Sequence, residues 1–183
     1  MSKGVQITAR LIKNISASTF TELKKRVAVD AKYVKVGIPA GAMEKGTGTP
    51  LALIGLVNEF GSQDEKIPER SHLRVGVRKG KPDFIRLNRV NLVKMLRKQM
   101  SIDRGLGQLG AMAVGKVKDE IRNGDFKPLA AATIADRKRR LSPKYRAKLE
   151  AKLGHPLDLD KPLIDQGNYI QAFTYQLVPK GQK

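Results

Sequence analysis

The stretch LRVGVRKGKPDFIRLNRVNLVKMLRKQM, residues 73–100, decides how much sheet this chain holds. Leu73, Val75 and Val77 alternate with Arg74, Gly76 and Arg78, the two-residue period of a strand with one buried face. Pro82 then suits the first turn of a helix, where its missing N–H has no partner to lose. A helix from about Pro82 to Met100 sets Ile85, Leu92, Leu96 and Met100 on one side. The segment therefore reads as a strand followed by a helix.

Both periods recur on its flanks. Toward the N-terminus, Leu53, Leu56, Val57 and Phe60 repeat at helical spacing, and Gly61 stands where a left-handed cap belongs. Phe60 is expected to pack, and Asn58 and Glu59 to bond the turn that follows. Residues 39–50, PAGAMEKGTGTP, read as an exposed, mobile loop; its Gly-Thr-Gly lacks the Gly-Lys-Ser/Thr ending of a phosphate loop. Val34, Val36 and Ile38 alternate as a strand that ends at Pro39. A helix from Thr19 to about Asp30 opens on the capping-box spacing of Thr19 and Glu22, and Val5, Ile7 and Ala9 form a first strand.

Toward the C-terminus, Leu109, Ala113, Val117 and Ile121 face inward on a helix from Leu106 to Asn123 that stops at Gly124. Residues 130–140 are helical. Ser142 then caps a short helix with Pro143 in its first turn and Gly154 at its end. The tail from Asp165 to Val178 starts as a helical turn and ends as a strand through Phe173, Tyr175 and Leu177. The sum is an α+β fold, a small, mostly antiparallel sheet with helices against one face. At 183 residues it is read as a single domain, 1–183, with a basic helical insert near 130–155.

Composition narrows the chemistry. Without cysteine there is no disulfide framework and no thiol nucleophile or thiolate ligand. The first residues carry no apolar h-region, and no apolar run nears the roughly 18 residues of a membrane span, so a soluble protein with no membrane partner is expected. His72 and His155 are far apart and lack acidic or histidine neighbours at metal-ligand spacing. No serine lies in a Gly-x-Ser-x-Gly elbow. Neither an enzyme nor a cofactor is expected.

Charge is the strongest compositional signal. A formal net charge of +19 draws the chain toward polyanions or acidic protein surfaces. Nine lysines and arginines lie between Arg78 and Arg104, among them Arg86, Arg89, Arg97 and Lys98. A denser run, Arg137, Lys138, Arg139 and Arg140, continues to Lys144, Arg146, Lys148 and Lys152. These groups are the candidates for facing a partner or DNA. No helix-turn-helix or finger motif accompanies them, which leaves a basic, non-structural nucleic-acid-binding protein as the alternative function.

Two blocks of motifs carry a family resemblance. The first is Val34-Lys-Val-Gly-Ile38, then Leu53-Ile-Gly-Leu-Val-Asn-Glu-Phe-Gly61, then Ile67-Pro-Glu-Arg70 with Leu73-Arg74. The second is Phe126-Lys-Pro-Leu129, Thr133-Ile134 and Lys161-Pro-Leu-Ile-Asp-Gln-Gly167, with Tyr175. In this order they resemble the virion-morphogenesis, tail-completion and neck proteins of long-tailed phages, including the Mu-like morphogenesis and tail-component families. Ser71-His72 stands where those families favour Pro-Phe, and Gln166 where they favour Thr. The resemblance implies a structural virion protein that assembles as a six- or twelve-fold homo-oligomeric ring at the head–tail junction or tail end, after synthesis in the host cytoplasm. It implies connector, neck and tail proteins as partners, with DNA in the channel as a further one. On that reading, Glu59, Glu69, Arg70 and Arg74 are the candidate contacts between neighbours. Lys161 to Asp165 would be an extended arm, with Asp165 capping the turn at Gly167.

Overall fold

Residues 73–82 are helical, not a strand. In the computed structural model, which describes residues 16–29, 31–45, 47–64, 66–153, 158–165 and 167–180, one helix runs unbroken through Leu73–Leu96. The elements in chain order are α1 (Ala17–Val29), β1 (Lys32–Gly37), α2 (Leu51–Phe60), α3 (Leu73–Leu96), α4 (Ile102–Asn123), α5 (Ala131–Arg140), α6 (Pro143–Leu153), α7 (Asn168–Ala172) and β2 (Thr174–Pro179). The fold is α+β, with helix far outweighing an antiparallel two-stranded sheet. The expected first strand at Val5–Ala9 and the stop at Gly154 lie outside the described residues.

The chain divides into two compact units. The first comprises residues 1–37, 75–117 and 173–183. Here β1 pairs antiparallel with β2, from Lys32 opposite Pro179 to Gly37 opposite Thr174. Leu23, Met95 and Leu96 form a buried cluster against which Met100 and Ile102 pack. The α3 and α4 backbones approach closely at Gly76. A Cβ there would stand 2.9 Å from the Lys116 carbonyl oxygen and 3.0 Å from the Val117 Cα. Gly76 and Gly80 are both buried, one helical turn apart, so a strand-like alternation of valines conceals a helix whose inner face is glycine.

Pro82 sits well inside α3 instead of opening it. It leaves the Arg78 carbonyl without an intrahelical donor. The inner side also differs from expectation. Asn91, Val93, Met95 and Leu96 are buried, whereas Ile85 is exposed. The helix stops at Leu96 because Lys98 adopts φ 59°. The Lys98 N–H then donates to the Met95 carbonyl (3.0 Å) and the Gln99 N–H to the Lys94 carbonyl (2.8 Å), the paired bonds of a Schellman stop built without glycine.

The second unit comprises residues 38–74 and 118–172. Residues 39–50 form a small closed loop: the Glu44 N–H donates to the Thr49 carbonyl (2.8 Å), and Met43 bridges to Pro50. Helix α6 begins as its sequence indicates, with the Tyr145 N–H on the Ser142 hydroxyl at 3.3 Å. Helix α1, in the first unit, starts earlier than Thr19. Ser16 is its cap, with its hydroxyl accepting the Thr19 N–H at 3.2 Å. The segment 161–165 is a run of turns and not an extended arm; Leu163 is buried at φ 63°, uncommon for a residue with a Cβ.

Candidate functional site

Helix α2 is oriented against its composition. Its one acidic residue, Glu59, is buried at 4% exposure, as is Leu51 at the helix start. Leu53, Leu56 and Phe60 face outward, 50%, 56% and 58% exposed. At positions i, i+3 and i+7 they form one apolar stripe along the helix.

The buried carboxylate explains the inversion. It accepts the backbone N–H groups of His72 (3.0 Å), Leu73 (2.9 Å) and Arg74 (3.0 Å), the first donors of α3. It also takes the Ser71 hydroxyl at 2.7 Å and the Arg74 Nε at 3.0 Å. Glu59 thus caps another helix, and its charge suits that helix's positive end. The Gly61 φ of 81° turns the chain out of α2, and the Asn58 carbonyl then accepts the Arg70 N–H at 2.7 Å.

His72, 1% exposed, continues the network. Its Nδ1 lies 2.8 Å from the Arg70 carbonyl and its Nε2 lies 2.5 Å from the Tyr169 hydroxyl of α7. With Nδ1–H donating to the carbonyl, the neutral ring accepts the tyrosine proton at Nε2. Every polar atom of this Glu59–His72–Tyr169 chain is engaged within the protein. It is a structural joint, with no exposed nucleophile.

Burial opposes ionisation of Glu59. The N–H of Arg74, the Ser71 hydroxyl, the Leu73 N–H and the Arg74 guanidinium overcome it and hold the pKa at about 2, against an ordinary 4.5. Burial pushes the His72 ring below its ordinary 6.5, against the Arg70 carbonyl and the charge of Glu59. Both groups bind protons more readily in the unfolded chain, so stability falls as pH falls. The urea midpoint, followed by circular dichroism, is expected to decline below the ordinary histidine value of 6.5. It should then drop more steeply between 4.5 and about 2. Glu59→Gln should remove the steep part, and an unchanged profile in that variant would contradict this assignment.

The expected contact residues are only partly at the surface. Glu59 and Arg70 are buried and present no face to a neighbour. Glu69 and Arg74 are exposed and pair with each other at 2.8 Å, while the Arg74 guanidinium lies 4.6 Å above the Phe60 ring. Phe60 therefore carries an arginine and does not fill a core. Arg70 donates through Nε and Nη2 to the carbonyls of Lys127 and Pro128, each at 3.0 Å.

The basic candidates are divided between the two units. Arg86 pairs with Asp83 at 2.9 Å, and Lys98 lies 3.6 Å from Glu22; both belong to the first unit, as do the exposed Arg89 and Arg97. In the second unit Arg137 is buried, a correction to its place among the partner-facing groups. Its Nη1 lies 3.0, 2.9 and 2.9 Å from the carbonyl oxygens of Leu159, Lys161 and Ile164. Asp165 serves Arg140 at 2.9 Å and Arg137 at 3.8 Å, so it acts as a counter-ion where a turn cap was expected. Arg139 pairs with Asp136, and Lys138 is exposed.

Sequence reasoning missed the Glu59–His72–Tyr169 chain and the outward stripe. The one legible signal was a lone acid in an otherwise apolar helix. Among the described residues, no three His, Asp or Glu side chains stand together as metal ligands, and no helix is long and apolar enough to cross a membrane. His155 lies outside the described residues. No protein-family model, curated protein or solved structure matches the chain.

Proposed function

We propose that the protein is a structural subunit of a tailed-bacteriophage particle, a neck, head–tail joining or tail-completion component that works by assembling with copies of itself and with other virion proteins. The observation that carries this reading is the outward stripe of Leu53, Leu56 and Phe60. It lies within the Leu53–Gly61 block that resembles those families. Apolar side chains lined up along one helix face are unfavourable in water and mark a contact surface. A closed ring would cover each copy's stripe with a neighbouring surface. The exposed pair Glu69–Arg74 beside Phe60 would border that contact.

The test is the mass of the purified chain in solution, alone and with particle extracts. Wild-type protein is expected to form a closed oligomer or to join particles. Leu56→Asp should weaken assembly by about tenfold to a hundredfold, since covering one leucine contributes about 1.5–3 kcal/mol. A chain that stays monomeric and is absent from assembling and finished particles would refute the proposal.

The charge and the exposed Lys138, Arg139, Lys144 and Lys148 favour a second reading, a basic nucleic-acid-binding protein outside the particle. Monomeric binding to duplex DNA with a salt slope reporting several phosphates would favour it over the first.

A further inference from the structure

The second unit contains a cleft of about 400 Å³ whose lining includes the cationic Lys45, Arg70, Arg137 and Arg140 and the acidic Glu44 and Asp165. Two of those guanidinium groups, Arg70 and Arg137, belong to residues more than nine-tenths buried. Arg70 has no carboxylate partner among the described residues; its side chain donates to two backbone carbonyls. Arg137 has Asp165 at 3.8 Å, but Asp165 lies closer to Arg140. A buried charge with no counter-ion costs several kcal/mol (roughly, per ion) unless something supplies the opposite charge.

A second observation points the same way. The Nδ2 of Asn168, which also lines the cleft, is buried and has no acceptor among the described residues. Such orphaned donors are few in native proteins, because each one forfeits its hydration without return. An uncompensated guanidinium and an unpaired amide on one cleft call for an acceptor-rich anion.

We propose that this cleft binds a carboxylate group, held by Arg70 and Arg137 and by the Asn168 amide. The chemistry is already rehearsed inside the cleft, where Asp165 is shared between Arg137 and Arg140. A planar monoanion matches the guanidinium fork in two bonds. A phosphate dianion would stand against Asp165 with twice the charge. Duplex DNA is too broad to bring a backbone phosphate to buried arginines. The carboxylate comes either from a small free acid or from an acidic side chain of another polypeptide. The site does not depend on ring assembly, and its failure would leave the assembly reading untouched.

The experiment is a titration of the full chain with triglutamate, malonate and inorganic phosphate, followed by NMR of the arginine side chains and by thermal midpoint. Triglutamate or malonate is expected to raise the midpoint and shift the arginine signals. Tighter binding of triglutamate would indicate a polypeptide source, and tighter binding of malonate a small free acid. Arg140→Gln, which frees Asp165 to repel the ligand, and Asn168→Asp, which places a carboxylate in the site, should each weaken binding by about tenfold or more. Asn168→Asp should also raise the midpoint of the unliganded chain, a gain that loss of fold cannot mimic. Lys138→Ala, outside the cleft, should leave affinity within about twofold. Equal response to phosphate, or unchanged binding in both cleft variants, would overturn the proposal.

Discussion

Glu59→Ala is expected to lose about 4 kcal/mol of folding stability, the largest single effect in the molecule. The carboxylate accepts three backbone N–H groups at the start of α3, and alanine would leave all three without it, the His72 N–H buried and the other two partly buried. Bonds to a charged acceptor contribute roughly 1.5–3 kcal/mol each, and they are not additive when they share one group. Loss of a helix cap alone costs about 0.5–2 kcal/mol. Ordinary domains hold about 5–15 kcal/mol in total, so the variant would be marginal at best. Glu59→Gln keeps one acceptor oxygen and should fall between wild type and alanine. Urea unfolding at neutral pH, read by far-ultraviolet circular dichroism, measures both. A loss below about 1 kcal/mol for alanine would mean that water replaces the carboxylate and that the cap is dispensable.

The second large effect concerns Gly76, where the sign of a small substitution is diagnostic. In an unpacked helix, glycine to alanine gains up to about 1 kcal/mol. At Gly76 the new Cβ would meet the Lys116 carbonyl oxygen and the Val117 Cα, backbone atoms that cannot rotate away. Gly76→Ala is therefore expected to destabilise, and Gly76→Val to cost about 3 kcal/mol, as the two helices are forced apart. Gly115 is the control. It lies in the middle of α4, and beyond its chain neighbours and its own helix backbone no atom stands within 4 Å of a Cβ built there. Gly115→Ala should stabilise by about 1 kcal/mol. Thermal or urea midpoints of the variants decide the matter. If Gly76→Ala and Gly115→Ala shift stability in the same direction, the close approach of α3 and α4 is wrong.

These two predictions rest on residues whose roles the sequence reading did not foresee, and the reason is physical. Local signals were legible wherever the chain's own neighbours supply the interaction. Of the expected inward line Leu109, Ala113, Val117 and Ile121, the last three are buried on α4 and Leu109 is half-buried, because residues spaced near the 3.6-residue period share one face of the helix. Ser142 and Pro143 open α6 because a cap and a first-turn proline act within one turn. The alternation of Val34 and Val36 appears in β1, whereas in β2 the buried residue is Val178, Tyr175 is exposed, and Phe173 lies just before the strand.

What only tertiary structure decided was every element whose partners lie far along the chain. Residues 73–81 alternate like a strand, yet a carboxylate up to 15 residues upstream caps them as a helix, and α4 packs on their glycines. Arg137 looked like part of a basic surface until the carbonyls 22 to 27 residues ahead folded back around it. Composition and periodicity determined an α+β chain of high positive charge with most of its helices in place. They did not determine which face of α2 turns inward, since that was settled by where Glu59 finds donors. A pattern of apolar residues states a preference for burial, and the distant groups that meet in the fold decide whether that preference is granted.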